Sequence, residues 1–443
     1  MRVLKRGIQI PDFKYRSLSS TQIHLPKPAR FITLLLNQHA GAPAKPCVKA
    51  GDPVLVGTKV AEGSDWTSAP IHSSVSGHVS EITSSRIVIE SDEADRMDPS
   101  IQVRSEIPSN AESLIEIIRE SGIVDLGGTG VPVHPRLVEA KTKEIGILIL
   151  NGCESEPFLT ADHMLMLNHP VEILKGAELL RVASGARRVV IAIERDKLEA
   201  VELLNSKNYN LKITTVSTIT LPVRYPQGSE HALVEAVTGR VLGRNQSSIE
   251  ADVLVENVAT AFAVYEAVYL QKPLYERVVT VSGDCIVDPK NLWARNGTHA
   301  VDLIRSCKGW MREPERIIFG GPMMGEAISD IELPVTKKVQ AILALPPELV
   351  SHAQEEACTR CGLCVEACPE LLVPETLVRA VRAEDQMLAE EYDIKSCTEC
   401  GACAYICPSK IPIVEVIRKG KPAGIRKHLQ TQPVYALSRH GEN

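Results

Sequence analysis

No apolar run in this 443-residue chain approaches the roughly 18 residues that a bilayer-spanning helix needs, so any attachment to a membrane is expected to be peripheral. The opening MRVLKRGIQIPDFK is basic but has no apolar core. That argues against a secretory signal, and so against the oxidising compartment that disulfides require. Aromatic residues make up only 4% of the chain and no basic stretch is interleaved with them, so the usual signature of a nucleic-acid surface is missing. The net charge of −6 is too mild to dictate a partner. A hydrophobic content of 44% can bury ample core, and the length suits about three or four domains. Cysteine is sparse outside one stretch, where Cys47, Cys153, Cys285 and Cys307 read as scattered, reduced bystanders.

The remaining eight cysteines repeat one spacing. Cys358, Cys361, Cys364 and Cys368 precede Pro369, and Cys397, Cys400, Cys403 and Cys407 precede Pro408. Two-residue spacers let three sulfurs of one tight loop reach one cubane cluster, while the fourth thiolate of each run crosses to the other cluster. The expected sets are Cys358, Cys361, Cys364 and Cys407 on one [4Fe–4S] cluster, and Cys397, Cys400, Cys403 and Cys368 on the second. Structural zinc and disulfides are the plainer readings. Zinc sites, however, use paired CxxC halves rather than triplets with a distant fourth ligand, and disulfides lack their compartment. Two clusters in one small fold make a short wire for single electrons.

Residues 1–108 read as a small β domain, with short apolar runs at 31–36, 54–56 and 87–89 between Gly and Pro turns. The phrasing Val48-Lys-Ala-Gly-Asp52, then Ala69-Pro-Ile-His-Ser and Ser76-Gly77, resembles the lipoyl/biotinyl barrel-sandwich family. No lysine stands in the expected modification hairpin, which implies an unmodified scaffold. His39 and His72, beside glycine turns, are expected to be hydrogen-bonded structure rather than metal ligands.

A second domain, 109–275, starts with an expected helix at 113–121 leading into Gly127-Gly128-Thr129-Gly130-Val131-Pro132. Such glycines clear Cβ atoms so that backbone N–H groups can face a phosphate or a flat ring, although ligand-free glycine turns are common. Strand-like runs at 145–150, 189–193 and 213–216 alternate with helical stretches at 170–183 and 197–204. That alternation indicates an open, largely parallel α/β sheet with ligands at its carboxyl edge. Asn151-Gly-Cys-Glu154-Ser-Glu156-Pro157 follows the first strand. It reads either as a solvated turn or as carboxylates that accept hydrogen bonds from ribose or carboxamide groups.

At these residues the chain resembles the flavin-carrying, NADH-binding subunit of complex I. The glycine loop, the acidic loop, Tyr225-Pro-Gln-Gly228-Ser-Glu230 and Asn257-Val-Ala-Thr260 have counterparts there, in order. The resemblance implies FMN held by Gly127, Gly128, Gly130, Arg136, Asn151, Asn257 and Thr260. It implies Glu154 and Glu156 as the carboxylates serving the reaction with NADH, and Gly228 and Glu230 around the flavin face or the dinucleotide. The chain departs from that pattern with Cys153 for an aspartate, Val131 for a phenylalanine, Arg136 for a lysine and Ser229 for a glutamate.

Residues 276–346 resemble the soluble-ligand-binding β-grasp (SLBB-like) module that follows the flavin domain in that family, with a strand at 277–282 and a helix at 298–307. Phe319-Gly-Gly-Pro-Met-Met-Gly325 comes next and reads as packing. A two-cluster ferredoxin domain is expected at 347–412 and a basic tail at 413–443, either solvated or docked on anionic lipid or an acidic partner. The expected fold is therefore multidomain α/β and α+β: barrel-sandwich, Rossmann-like flavin/NADH domain, β-grasp module, helical ferredoxin domain. This order resembles the RnfC family, the C component of the Rnf ion-translocating electron-transport complex. The resemblance implies a peripheral translocase subunit on the cytoplasmic face of the bacterial inner membrane, among membrane subunits. Electrons would pass between NAD(H), non-covalent FMN and two [4Fe–4S] clusters, and indirectly to ferredoxin. Two alternatives stay open: a cobalamin reductase of the propanediol-utilisation type, built from similar parts in the opposite order, and a non-enzymatic iron–sulfur wire or scaffold with a vestigial nucleotide pocket.

Overall fold

A computed structural model describes residues 7–243 and 246–421. The first unit is two facing β-sheets. One orders its antiparallel strands Phe31–Leu35, Arg86–Ser91, Gly77–Ile82 and Pro53–Val54, and the other orders Lys45–Pro46, Lys59–Glu62 and Ile71–His72. Alternation sets the register: Ile32 lies opposite Ile89 and Leu34 opposite Ile87, all four fully buried, because a slip of one residue would turn them to solvent. The run expected at 54–56 breaks after Val54, and Val56 makes only a single bridge to Met97. Ala69 N donates to His39 Nε2 at 3.1 Å, and burial pushes that imidazole down to about 4.

The domain expected at 1–108 also contains an arm that does not join the sandwich. Ile8 exchanges both backbone hydrogen bonds with Tyr225 (2.8 and 2.9 Å), Phe158 N donates to Asp12 O at 2.7 Å, and the Phe13 ring stacks on Phe158 at 4.8 Å. His24 exchanges hydrogen bonds with Asn291 and Trp293. Residues 7–24 therefore bind the second and third units together.

The second unit is a four-stranded parallel sheet, ordered Val216–Leu221, Arg188–Glu194, Ile147–Asn151, Val253–Asn257. Most residues of the last three strands in that order are buried, as expected where helices cover both faces. Helices Pro170–Ser184 and Val258–Tyr269 approach closely at Gly176, whose added Cβ would lie 1.8 Å from the Ala261 carbonyl. The strand expected at 213–216 begins only at Val216. The preceding helix, Leu198–Leu211, is longer than expected and closes on Lys212 in the left-handed region (φ 55°). Along the chain the strand order runs third, second, first, fourth. It reverses between Ile147–Asn151 and Val253–Asn257, which opens a crevice at their carboxyl ends.

In the third unit the strand order along the chain is second, first, fifth, third, fourth: Lys290–Arg295, Glu276–Ser282, Ala341–Leu345, Arg316–Phe319, Glu326–Ile328. Glu276–Ser282 and the fully buried Ala341–Leu345 run parallel in its centre, and a helix, Ala300–Ser306, packs on the sheet. The fourth unit is helical. Its last helix, Ile413–Gly420, buries Ile413, Val414 and Ile417 in one core with Leu377, Val378, Cys368, Cys403 and Cys407. The boundary expected at 412/413 thus falls inside this unit, because an amphipathic helix must cover its apolar stripe. Residues 422–443, most of the expected tail, lie outside the described residues.

Lys337 sits where the first three units meet. Its buried ammonium donates to Pro70 O (2.6 Å) and Gly122 O (2.7 Å). Burial pushes it down to about 7. An unfolded lysine keeps its proton to about pH 10.4, so between pH 7 and that value the unfolded state binds more protons and stability rises with pH; below 7 the penalty is fully present. The rise is at most about 1.4 kcal/mol per pH unit. Lys337→Met removes the titrating group, so thermal melts of the variant should lack this part of the rise between pH 7 and 9. Parallel melting curves for the two proteins would contradict the assignment.

Candidate functional site

Asn151 and Asn257 end the two strands that border the crevice and face each other in register. Asn151 Nδ2 donates to Gly228 O at 3.0 Å, while its Oδ1 accepts from Cys153 N, also at 3.0 Å. Asn257 caps helix Val258–Tyr269 through Ala259 N (2.7 Å) and donates to the buried Asp162 carboxylate (2.7 Å). Burial and the nearby Glu154 push Asp162 up to about 7. Thr260 Oγ1 accepts from Leu126 N at 2.9 Å and so ties the glycine loop to this helix.

Gly128 (φ 106°) and Gly130 (φ 66°) give the loop its left-handed turns. Its amides are partly committed: the Asp125 carboxylate accepts from Gly127 N (3.2 Å), Thr129 N (3.3 Å) and Thr129 Oγ1 (2.6 Å). The Arg136 guanidinium turns toward the sheet edge, 3.1 Å from Glu256 Oε1, and donates to Val255 O at 2.8 Å. Burial pushes Glu256 up to about 8 against the pull of that arginine. Glu230 is exposed at the start of helix Glu230–Thr238, where its carboxylate accepts from Ser248 N at 3.3 Å.

Both carboxylates of the acidic loop have protein partners. Glu154 accepts from Asp162 N (2.8 Å) and His163 N (3.2 Å), capping helix Ala161–Asn168, while its carbonyl receives the buried Lys14 ammonium. Glu156 accepts from Met323 N (3.1 Å) and Met324 N (2.9 Å) of the third unit, and burial pushes it up to about 7. Neither partner is visible in the spacing of the loop. Nor does the spacing single out Gln227. It is fully buried in the Tyr225–Gly228 turn, and neither its amide oxygen nor its nitrogen meets a partner. A buried amide left unpaired costs about 1–3 kcal/mol, so this turn holds hydrogen-bonding capacity that no protein group among the described residues uses. The only sequence signal of Gln227 is its place in the motif next to Gly228.

The cysteine runs fold alike. Gly362 (φ 79°) and Gly401 (φ 82°) start the short helices Leu363–Ala367 and Ala402–Ile406, and the amides of Arg360 and Glu399 each donate to a run's first sulfur at 3.4 Å. Cys368, Cys397, Cys400 and Cys403 line one cavity with Pro369, Gly401 and Ile417. Cys364 has Cys407 and Cys358 as its charge neighbours, while Cys358 and Cys361 lie at the surface. Among the described residues no group of three His, Cys, Asp or Glu side chains is arranged to hold a single metal ion. Soft thiols around such a cavity fit an iron–sulfur cluster. Tyr225 joins this cavity to the crevice, because its buried hydroxyl donates to Cys400 O at 2.6 Å.

Comparison with known proteins follows the same division. Family profiles match residues 3–103 (RnfC barrel sandwich hybrid domain), 118–266 (Nuo51 FMN-binding domain) and 354–411 (4Fe-4S dicluster domain). The C component of the proton-translocating ferredoxin:NAD(+) oxidoreductase complex of Clostridium ljungdahlii is 37% identical over 93% of this chain and 92% of its own length. The chain belongs to the RnfC family of ion-translocating oxidoreductase complexes. The Na(+)-translocating counterpart of Acetobacterium woodii is 34% identical over 84% of this chain and 85% of its own. Against the corresponding component of the ion-translocating oxidoreductase complex of Pasteurella multocida, 35% identical over 94% of this chain, it spans only 51% of the relative's length. Among solved structures, an NAD+-reducing [NiFe]-hydrogenase in the H2-reduced state shares the fold, with a TM-score of 0.50 and 16% identity over 74% of this chain and 64% of that one. This RnfC chain carries an FMN-binding domain and a dicluster domain. No helix among the described residues is long and apolar enough to cross a membrane.

Proposed function

We propose that the chain is the electron-input subunit of an ion-translocating NAD:ferredoxin oxidoreductase, peripheral on the cytoplasmic face of the inner membrane and attached to the complex's membrane subunits. FMN, when bound, supplies the exchange between the two-electron chemistry of NAD(H) and the one-electron chemistry of two [4Fe–4S] clusters. Gly127, Gly128, Gly130, Asn151, Gly228, Asn257 and Thr260 would hold it at the crevice, with Arg136 and Glu230 at its margins. Glu154 would fix the loop by capping Ala161–Asn168 rather than by touching the nicotinamide. Cys358, Cys361, Cys364 and Cys407 would hold one cluster, and Cys368, Cys397, Cys400 and Cys403 the other.

The observation that carries this reading is the Tyr225–Gly228 turn. Within four residues it contacts Asn151 at the crevice and Cys400 at the cysteine cavity. The second-first-fifth-third-fourth strand order supports a β-grasp module at 276–346, here the spacer that seats the cysteine unit against the flavin unit. The test is anaerobic mixing of the purified, cofactor-loaded chain with NADH. Bleaching of the flavin band followed by cluster paramagnetism is expected, whereas an unreactive flavin would leave the chain an iron–sulfur scaffold.

A further inference from the structure

The Phe319-Gly-Gly-Pro-Met-Met-Gly325 segment is shaped around a carboxylate from another unit. A Cβ on Gly321 would lie 2.3 Å from the Glu156 carboxyl carbon and from Oε2, so any larger residue there must displace the carboxylate. Gly320 takes a left-handed turn (φ 95°), and Gly325 N donates to Gly321 O at 2.8 Å, closing the loop. Glu156 then accepts from two successive amides, Met323 N and Met324 N. Met323, buried between the units, reaches the second cysteine run: a Cβ on Gly401 would meet Met323 O at 3.0 Å and its Cε at 3.5 Å. Met323, Tyr225, Cys400 and Ala402 share one apolar cluster. Met324, beside it, is exposed.

We propose that Glu156 is a positioning residue for the cluster held by Cys368, Cys397, Cys400 and Cys403. It seats the 320–325 loop so that Met323 presses on the Cys400–Gly401 turn. The Tyr225 hydroxyl holds the same turn through the Cys400 carbonyl. The acidic loop at the crevice and the wall of the cluster cavity are thus one mechanical piece. Backbone placement and solvent exclusion around the sulfurs set a cluster's potential, so a loosened loop alters that cluster alone. This inference rests on the cluster assignment above and requires neither bound FMN nor reaction with NADH.

The test uses the full chain with its clusters. Redox titration with dithionite under paramagnetic detection reads each cluster's potential, and mild oxidation followed by mass spectrometry compares Met323 with Met324. In Glu156→Ala, the cluster of the second run is expected to shift its midpoint and its g-values while the other cluster keeps both. Oxidation of Met323 should rise roughly 10-fold, the factor expected when hydrogen bonds to a charged acceptor no longer hold the loop. Gly321→Ala puts a methyl group where the carboxylate lies and should give the same pair of changes with Glu156 intact; it decides alone if Glu156→Ala does not fold. Unchanged potentials and a still-protected Met323 would overturn the proposal, as would a Glu156→Ala chain whose only defect is slower flavin reduction by NADH. If the unaltered chain fails to react with NADH, the proposed activity falls while both of these measurements remain readable.

Discussion

Cys368→Ser is expected to abolish the cluster of the opposite cysteine run and spare the one nearer in sequence. Cys368 follows Cys358, Cys361 and Cys364 along the chain, but its sulfur lines the cavity shared by Cys397, Cys400 and Cys403. Cys364 instead has Cys407 and Cys358 as its neighbours. A serine hydroxyl is a harder, less acidic donor than a thiol and is a poor substitute where iron needs a soft thiolate. One of two paramagnetic signals should therefore vanish, with about half of the iron lost, a stoichiometry that follows from two equal cubanes. Cys407→Ser should remove the other signal. If Cys368→Ser removed the signal that Cys358→Ser also removes, ligation would follow the sequence runs and the crossed assignment would fall.

Gly128→Val is expected to empty the flavin site while both clusters still assemble. Gly128 has φ 106°, a region that a β-branched residue does not enter without strain. Relieving about 1–3 kcal/mol of strain requires the loop to turn, and the loop is pinned on both sides. Asp125 accepts from Gly127 and Thr129, and Gln340 Nε2 donates to Leu126 O at 3.0 Å. The added Cβ would also crowd Gln340 Oε1 at 3.3 Å. FMN affinity should fall roughly 10- to 100-fold, by the tenfold-per-1.4 kcal/mol conversion, as measured by fluorescence titration of the deflavinated chain. The cysteine unit has its own apolar core, so iron and sulfide content should not change. Retention of FMN at unaltered affinity would take the glycine loop out of the flavin site.

Much of the architecture is legible in the sequence because it depends on local periodicity. The helix expected at 170–183 is Pro170–Ser184, and the strand expected at 189–193 is Arg188–Glu194. The strand expected at 213–216 lies further on, because Ile213 N still donates to Asn208 O at the helix end before pairing starts at Val216. Helix Ile413–Gly420 reads as tail in the sequence because Arg418, Lys419, Lys421, Arg426 and Lys427 at and beyond its end mask its apolar stripe. In the structure Arg418 (2.7 Å) and Lys421 (2.7 Å) both pair with Glu399 beside the second cysteine run.

The sequence by itself determined the chemistry available: eight thiols at ferredoxin spacing, a glycine loop and a flavin-type sheet. Those depend on which residues lie within a few positions of one another, and covalent spacing fixes that. Only the tertiary structure decided what each polar side chain touches. Glu156 meets amides 167 and 168 positions away, Tyr225 a carbonyl 175 away, and Lys14 a carbonyl 140 away. A carboxylate in a loop is equally suited to a nucleotide hydroxyl or a backbone N–H. Which of the two it receives depends on the packing of separate units against each other, and no local pattern encodes that.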